Sequence, residues 1–383
     1  MPADPVAILQ DLVRCPSVTP AEGGALAYLE RVLTAAGFAV DRPVFSETGT
    51  PDVENLFAFT GAGGPHLMFA GHTDVVPTGP EERWTHPPFS GAIDGGILYG
   101  RGSADMKGGI ACFLAATLDW LAEKPRRGTI SFLITGDEEG PAVNGTVKLL
   151  QWAAERGHRF DAAIVGEPTN PESIGEAIKV GRRGSVSGTI TVTGRQGHVA
   201  HPHNADNPLP RLVALVNALI AERFDEGSER FQRSNLEITS IDVGNRAFNV
   251  IPASGTAKFN IRFTDRWTYE TLTARIRTIL DGVHPGGYHL AFERFNSPAF
   301  FTVAGALVDP LLAAIEEVTG MRPERSTSGG TSDARFIKDY CPVVEFGLVA
   351  KTIHRIDEQV PVADLHTLTR IYRRFLDRYF GTD

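Results

Sequence analysis

Helical periodicity marks Leu9, Leu12 and Val13, then Leu26, Leu29, Val32 and Leu33, then Met106, Ile110, Phe113, Leu114, Thr117 and Leu121. Spacing by three and four residues puts each set on one face of a helix. Short, continuously apolar runs lie between and after them, at 66–70, 97–99, 129–135, 162–165 and 343–346. Such runs suit strands covered on both faces. Residues 1–183 therefore predict alternating helix and strand, an α/β layer with a mixed sheet and helices on both faces.

The pattern changes near Gly181-Arg182-Arg183-Gly184. Residues 185–193 alternate as a half-exposed strand does, with Val186, Gly188, Ile190 and Val192 on one face. A helix follows, carried by Leu209, Leu212, Val213, Val216, Leu219 and Ile220. Strands are expected at 235–243 and 254–264, a helix at 268–282 and a strand at 288–295. That βαββαβ order predicts a small ferredoxin-like α+β domain. After Asn296-Ser297-Pro298 the α/β character returns, with helices expected at 308–318, 333–340 and 362–380 and a strand at 343–347. The expected division is 1–183 with 297–383 as one domain, and 184–296 as an insertion.

At 383 residues the chain is long enough for two cores. A formal net charge of −9 argues against a nucleic-acid partner. The three cysteines lack CxxC spacing, which suits a reducing compartment. No basic-then-apolar signal opens the sequence and no apolar run reaches the ~20 residues of a membrane span. A cytoplasmic protein without a membrane partner is expected.

The chemistry sits where the apolar runs end. The run at 66–70 leads to His72-Thr73-Asp74, that at 97–99 to Asp105, that at 129–135 to Asp137-Glu138-Glu139, that at 162–165 to Glu167, and that at 343–346 to His354. Ligands of open α/β sheets bind beyond the carboxyl ends of the strands. The repetition predicts that His72, Asp105, Glu139, Glu167 and His354 meet there. Two imidazoles and three carboxylates suit a pair of Zn²⁺-like ions sharing one carboxylate, with Co²⁺ a plausible substitute. Asp74 is the expected acceptor of the second His72 N–H, and Glu138 is the natural general base.

Each residue has a plainer reading by itself. Asp105 would serve as a helix N-cap, and 137–139 as a solvated acidic turn. Five matched strand ends outweigh those readings, since three crowded carboxylates repel unless a cation offsets them. His198 lies among His201 and His203, where exposed loop imidazoles are the plainer reading for the latter two. Gly329-Gly330-Thr331-Ser332-Asp333 offers an anion cradle ahead of a helix, and Arg182, Arg183 and Arg262 are candidates for gripping carboxylates.

The chain resembles the di-zinc aminoacylase/carboxypeptidase family of metallopeptidases over nearly its full length. The resemblance is carried by the motifs at 71–77, 100–108, 136–139 and 166–168. The family implies that His72 and Glu167 bind one zinc, Glu139 and His354 the other, with Asp105 bridging. It implies Glu138 as base and Asp74 as the partner of His72. It also implies a homodimer through the inserted domain, in which His198 reaches the other subunit's site. The motifs at 180–185, 196–200, 249–252, 259–262 and 328–333 most resemble family members that release succinate from N-succinyl-L,L-2,6-diaminopimelate. That implies substrate contacts at Arg182, Ser185, Asn249, Arg262, Gly330, Thr331 and Ser332. His201 stands where such enzymes commonly carry Tyr, and 348–352, with Ala350, lacks an Asn often seen before the final His. Another deacylase of the family, acting on acetylornithine or N-acyl amino acids, is the alternative. A non-catalytic, metal-stabilised binding protein is a more distant one.

Overall fold

The computed structural model describes residues 3–124, 127–293 and 296–381. The chain divides into two compact units, Met1–Val180 with Thr302–Ser326 and Ser332–Asp383, and Gly181–Phe301 with Thr327–Thr331.

The first unit is built on a mixed eight-stranded sheet. Its order is Ala39–Asp41, Leu56–Ala62, Gly128–Thr135, His66–His72, Ala162–Val165, Val343–Glu345, Ala177–Lys179, Glu324–Ser326. The four central strands, from Gly128–Thr135 to Val343–Glu345, run parallel. Every residue of His66–His72, Ala162–Val165 and Val343–Glu345 is buried, which explains why all but His66, His72 and Glu345 lack polar side chains. Helix Gly108–Glu123 packs against Val362–Tyr379. Phe69 of the sheet stacks on Phe113 at 4.3 Å, and Phe113 meets the Tyr372 ring edge-on at 5.2 Å. The last helix buries Leu365, Leu368, Ile371, Tyr372, Phe375 and Leu376. Each such side chain contributes about 1.5–3 kcal/mol, so the carboxyl edge of the sheet rests on a rigid base.

The second unit has four antiparallel strands in the order Asn235–Asp242, Ser254–Phe263, Gly184–Thr193, His289–Phe292. In the chain, helix Leu209–Ala221 comes between Gly184–Thr193 and Asn235–Asp242, and helix Tyr269–Val283 between Ser254–Phe263 and His289–Phe292. Strict burial alternation along Gly184–Thr193 sends Val186, Ile190 and Val192 into a core with Leu212, Leu215, Leu272 and Ile276. Thr268 caps the second helix through a reciprocal pair with Thr271.

Several expectations need correction. The unit begins at Gly181 rather than 184, because Gly181–Arg182 pairs with Phe300–Phe301 and closes its neck. Residues 327–331 join it, with Thr327 Oγ1 donating to the Arg230 carbonyl. The helix expected at 333–340 is only Ala334–Ile337. The strand expected at 288–295 spans His289–Phe292, and 294–295 lie outside the described residues. Strand Leu56–Ala62 and helix Thr146–Glu155 were not singled out by periodicity. No helix among the described residues is long and apolar enough to cross a membrane.

Candidate metal centre

Three predicted residues arrive from neighbouring strand ends. His72 is the last residue of its strand and pairs with Thr135, so the turn 136–139 begins beside it. Ala70 pairs with Val165 on the other side, which brings Glu167 alongside. A Cβ on Gly109 would lie 2.3 Å from the Gly166 carbonyl oxygen. Only glycine lets the start of helix Gly108–Glu123 lie this close to the Glu167 turn.

Asp105 takes a different route from the one expected. Ile97–Tyr99 is not in the main sheet. It pairs with Gln359–Pro361 and Ile93–Asp94 in a separate three-stranded sheet. The strand they pair with follows His354 in the chain. Asp105 therefore approaches from the segment leading into helix Gly108–Glu123, across a cis Asp105–Met106 peptide. His354 sits in the turn before Gln359–Pro361 with φ +59°, a left-handed conformation that His adopts more readily than most side chains.

These approaches converge on Asp105. Its Oδ1 lies 3.2 Å from His72 Nε2, and its Oδ2 lies 3.3 Å from His354 Nε2. Glu167 Oε1 lies 3.8 Å from His72 Nε2, and Glu139 Oε1 lies 2.7 Å from His354 Nε2. Ligand atoms of His72, Asp105 and Glu139 fall within 4.8 Å of one another, as do those of His72, Glu138 and Glu167. The second triad places Glu138 on the His72 side of the cluster.

Asp74 acts otherwise than expected. His72 Nδ1 lies 2.8 Å from the Asp74 backbone carbonyl and 3.7 Å from its carboxylate. The carbonyl accepts the Nδ1 proton, leaving the Nε2 lone pair facing Asp105 and Glu167. The Asp74 carboxylate instead accepts the backbone N–H groups of Glu138 at 3.2 Å and Glu139 at 3.0 Å. One residue thus orients His72 and holds the turn that bears Glu138 and Glu139. Asp137, the third acid of that turn, accepts the N–H groups of Val143 and Asn144 at 2.8 Å each and so ties down the next loop.

The electrostatics test the fit to cations. Burial, then repulsion from Asp333, Glu139 and Asp105, pushes the Glu138 carboxyl up to about 8 against the pull of His72. Burial and the Asp105 charge also push Glu167 well up. Burial would lower His72, but its hydrogen bond to Asp105 and the charges of Glu167, Glu138 and Asp105 hold it far above the ordinary imidazole value. Hydrogen bonds to Asp105 and Glu139 raise His354 to about 10. Carboxyls driven toward the neutral form beside imidazoles driven toward the charged form mark a surplus of buried negative charge. A pair of divalent cations would neutralise it, and the N/O donor set suits them.

The other predicted residues sit elsewhere. Ser332 belongs to the first unit, is buried, and donates its hydroxyl to Glu345 Oε1 at 2.5 Å. That hydroxyl is committed to a structural bond. Arg182, Ser185, His198, Asn249, Arg262, Gly330 and Thr331 belong to the second unit. Arg182 is buried and donates to the Ser328 carbonyl at 3.1 Å, beside Gly329. Ser185 and Arg262 face each other in register. His198 is exposed, pairs with Val250 next to Asn249, and accepts the Ala200 N–H through Nδ1 at 3.0 Å. Sequence reasoning missed Glu358, whose buried carboxylate holds the Asp105 loop. The available signal was Arg101, a cation in a glycine-flanked turn that needs a counter-charge when buried.

Comparison with known proteins agrees with this geometry. The model of peptidase family M20/M25/M40 matches residues 68–378. A succinyl-diaminopimelate desuccinylase of Methylorubrum populi is 62% identical over 382 residues, covering 99% of each chain. Among solved structures, the M20 family metallo-carboxypeptidase Sso-CP2 from Sulfolobus solfataricus superposes with a TM-score of 0.82. It is 17% identical, with 98% of this chain and 99% of that one covered. The YXEP protein of Bacillus subtilis, described as a dinuclear metal-binding peptidase, gives a TM-score of 0.70. It is 15% identical, with 99% of this chain and 98% of that one covered. With a family model matched over most of its length and a relative of this identity, the chain belongs to peptidase family M20/M25/M40.

Proposed function

We propose that this protein is a succinyl-diaminopimelate desuccinylase. It hydrolyses N-succinyl-L,L-2,6-diaminopimelate to succinate and L,L-diaminopimelate, a step of bacterial lysine and diaminopimelate synthesis. The observation that carries the chemistry is Asp105, with one oxygen on His72 and the other on His354, beside a half-buried acid, Glu138. The likeness to the Methylorubrum populi desuccinylase over nearly the whole chain carries the substrate.

His72 and Glu167 would hold one ion, Glu139 and His354 the other, with Asp105 shared. Zinc is the ion proposed and cobalt a substitute. Bound there, such a pair lowers the pKa of water and polarises a carbonyl. Glu138 supplies the proton transfers. Without ions, burial and its acidic neighbours push the Glu138 carboxyl up, and two bound cations would draw it back to the carboxylate form that a general base needs. It takes the proton from the attacking water and returns it to the amine that leaves. The Asp74 carboxylate fixes the backbone of that turn, so the base is set before substrate arrives.

His198, from a second copy paired through the ferredoxin-like inserted domain, would polarise the scissile carbonyl. Arg182, Ser185, Asn249, Arg262, Gly330 and Thr331 would receive the substrate carboxylates. Ser332 would act only through its place in the Gly329–Asp333 segment. A cytoplasmic location follows from a soluble biosynthetic role.

Purified protein should hydrolyse N-succinyl-L,L-diaminopimelate far faster than N-acetylornithine, lose the activity to a chelator and regain it with zinc. Metal-dependent cleavage of only the acetyl substrate would retain the chemistry and overturn the assignment. No cleavage of either substrate by ion-loaded protein would favour a binding role.

A further inference from the structure

Glu358 and Arg101 form a buried pair that no catalytic role uses. Arg101 Nη1 lies 2.7 Å from Glu358 Oε2, and both side chains are almost fully shielded from water. Burying two charges is costly unless their remaining hydrogen-bonding capacity is filled. Backbone fills that of Glu358 and of both Arg101 Nη groups, while Arg101 Nε has no hydrogen-bond partner among the described residues. Glu358 Oε2 also accepts the Gly102 N–H at 2.9 Å. Its Oε1 accepts the N–H groups of Ala104 at 2.9 Å and Asp105 at 3.1 Å. One carboxylate thus takes four donors, three of them backbone N–H groups of the short segment 102–105 that presents Asp105.

Arg101 extends the grip. Its Nη1 donates to the Arg355 carbonyl at 3.1 Å, and its Nη2 donates to the Pro77 carbonyl at 3.2 Å. The guanidinium lies over the Trp84 ring, 5.3 Å from its centroid. Arg355 directly follows His354, and Pro77 closes the loop that starts at His72. The pair therefore ties together the three segments that carry His72, Asp105 and His354. A guanidinium does this through its planar fork of donors, which an ammonium cannot reproduce.

We propose that Glu358 and Arg101 are positioning residues that set the spacing of the two histidines about Asp105, and hence the ability of the site to hold its second ion. The idea rests on the two-ion reading above. Glu358→Gln keeps the volume but turns an amide NH₂ toward backbone donors, so at least one of the two donor pairs loses its acceptor. The order of effect for partners that orient ligands is 10–100-fold in metal affinity.

The test is a Co²⁺ titration of apo wild type, Glu358→Gln and Arg101→Lys against a chromophoric chelator. The visible d–d spectrum and thermal stability are recorded alongside. Binding of the second ion is expected to weaken by about 10–100-fold in Glu358→Gln and by about tenfold in Arg101→Lys. The cobalt spectrum should change, and in zinc-loaded protein kcat should fall more than KM rises. If Glu358→Gln does not fold, Arg101→Lys, which keeps the charge, decides. Wild-type affinity for both ions and an unchanged spectrum in every folded variant overturn the proposal. Wild-type protein that binds fewer than two ions overturns the two-ion reading instead.

Discussion

His66 and His72 are six residues apart, at the two ends of one strand, and both are buried. Their environments push them in opposite directions. At the amino end, burial and the nearby His158 bring His66 down to about 4. Its Nε2 lies 2.9 Å from the Ser131 hydroxyl, with the Phe160 ring 4.9 Å away. At the carboxyl end, Asp105, Glu167 and Glu138 overcome the same burial and hold His72 far above the ordinary value. Burial alone does not separate the two histidines. Asp105, Glu167 and Glu138 act on the His72 ring, whereas Asp161 beside His66 accepts its backbone N–H at 2.7 Å. In a parallel sheet the strand direction decides which end lies at the ligand-binding crevice.

The sharpest way to probe this contrast is to alter the charged end without removing a metal ligand. Glu138→Ala should lower kcat by about 10²–10⁴-fold while both ions stay bound, as read by steady-state kinetics and metal analysis. Near wild-type turnover would remove Glu138 from the mechanism. Exchanging the two histidines in turn comes next. His72→Ala should weaken ion binding by more than the roughly 100-fold expected of an outer partner. His66→Ala should leave ion stoichiometry unchanged and affect only thermal stability. Equal effects on ion binding would break the comparison.

Asp74→Asn is a gentler probe of the charged end. It keeps the backbone carbonyl on His72 but gives the turn one acceptor where it had two. A loss of about tenfold in kcat with little change in ion affinity is expected. The smallest effect belongs to the amino end. Because the folded-state value of His66 is depressed, its contribution to stability is present above pH ~6.5 and is lost as pH falls toward 4. Chemical denaturation between pH 4 and 7 should show that decline, and His66→Gln should reduce it.

The strand ends were legible because the apolar runs at 66–70, 129–135 and 162–165 are long enough to read and stop at residues that carry chemistry. The start of a second unit built on a half-buried antiparallel sheet was legible from the switch to strict alternation after Gly184. The route of Asp105 was not, since Ile97–Tyr99 has the composition of a core strand and pairs with residues 359–361, far along the chain. Nor was the role of the Asp74 carboxylate, which is set by where two backbone N–H groups point. Glu358 was hidden for the same reason. Its partners Gly102, Ala104 and Asp105 offer backbone, and backbone leaves no mark in a sequence. Helix Thr146–Glu155 buries only Thr146, Leu149, Leu150 and Ala153, a stripe too short to stand out.

The central claim is that Asp105 is shared between two cations. The most direct measurement is anomalous diffraction from crystals of the protein loaded with zinc. Two peaks about 3.5–4 Å apart, one beside His72 and Glu167, the other beside His354 and Glu139, with Asp105 between them, are expected. A single peak at full loading, or two peaks that do not share Asp105, would contradict the account.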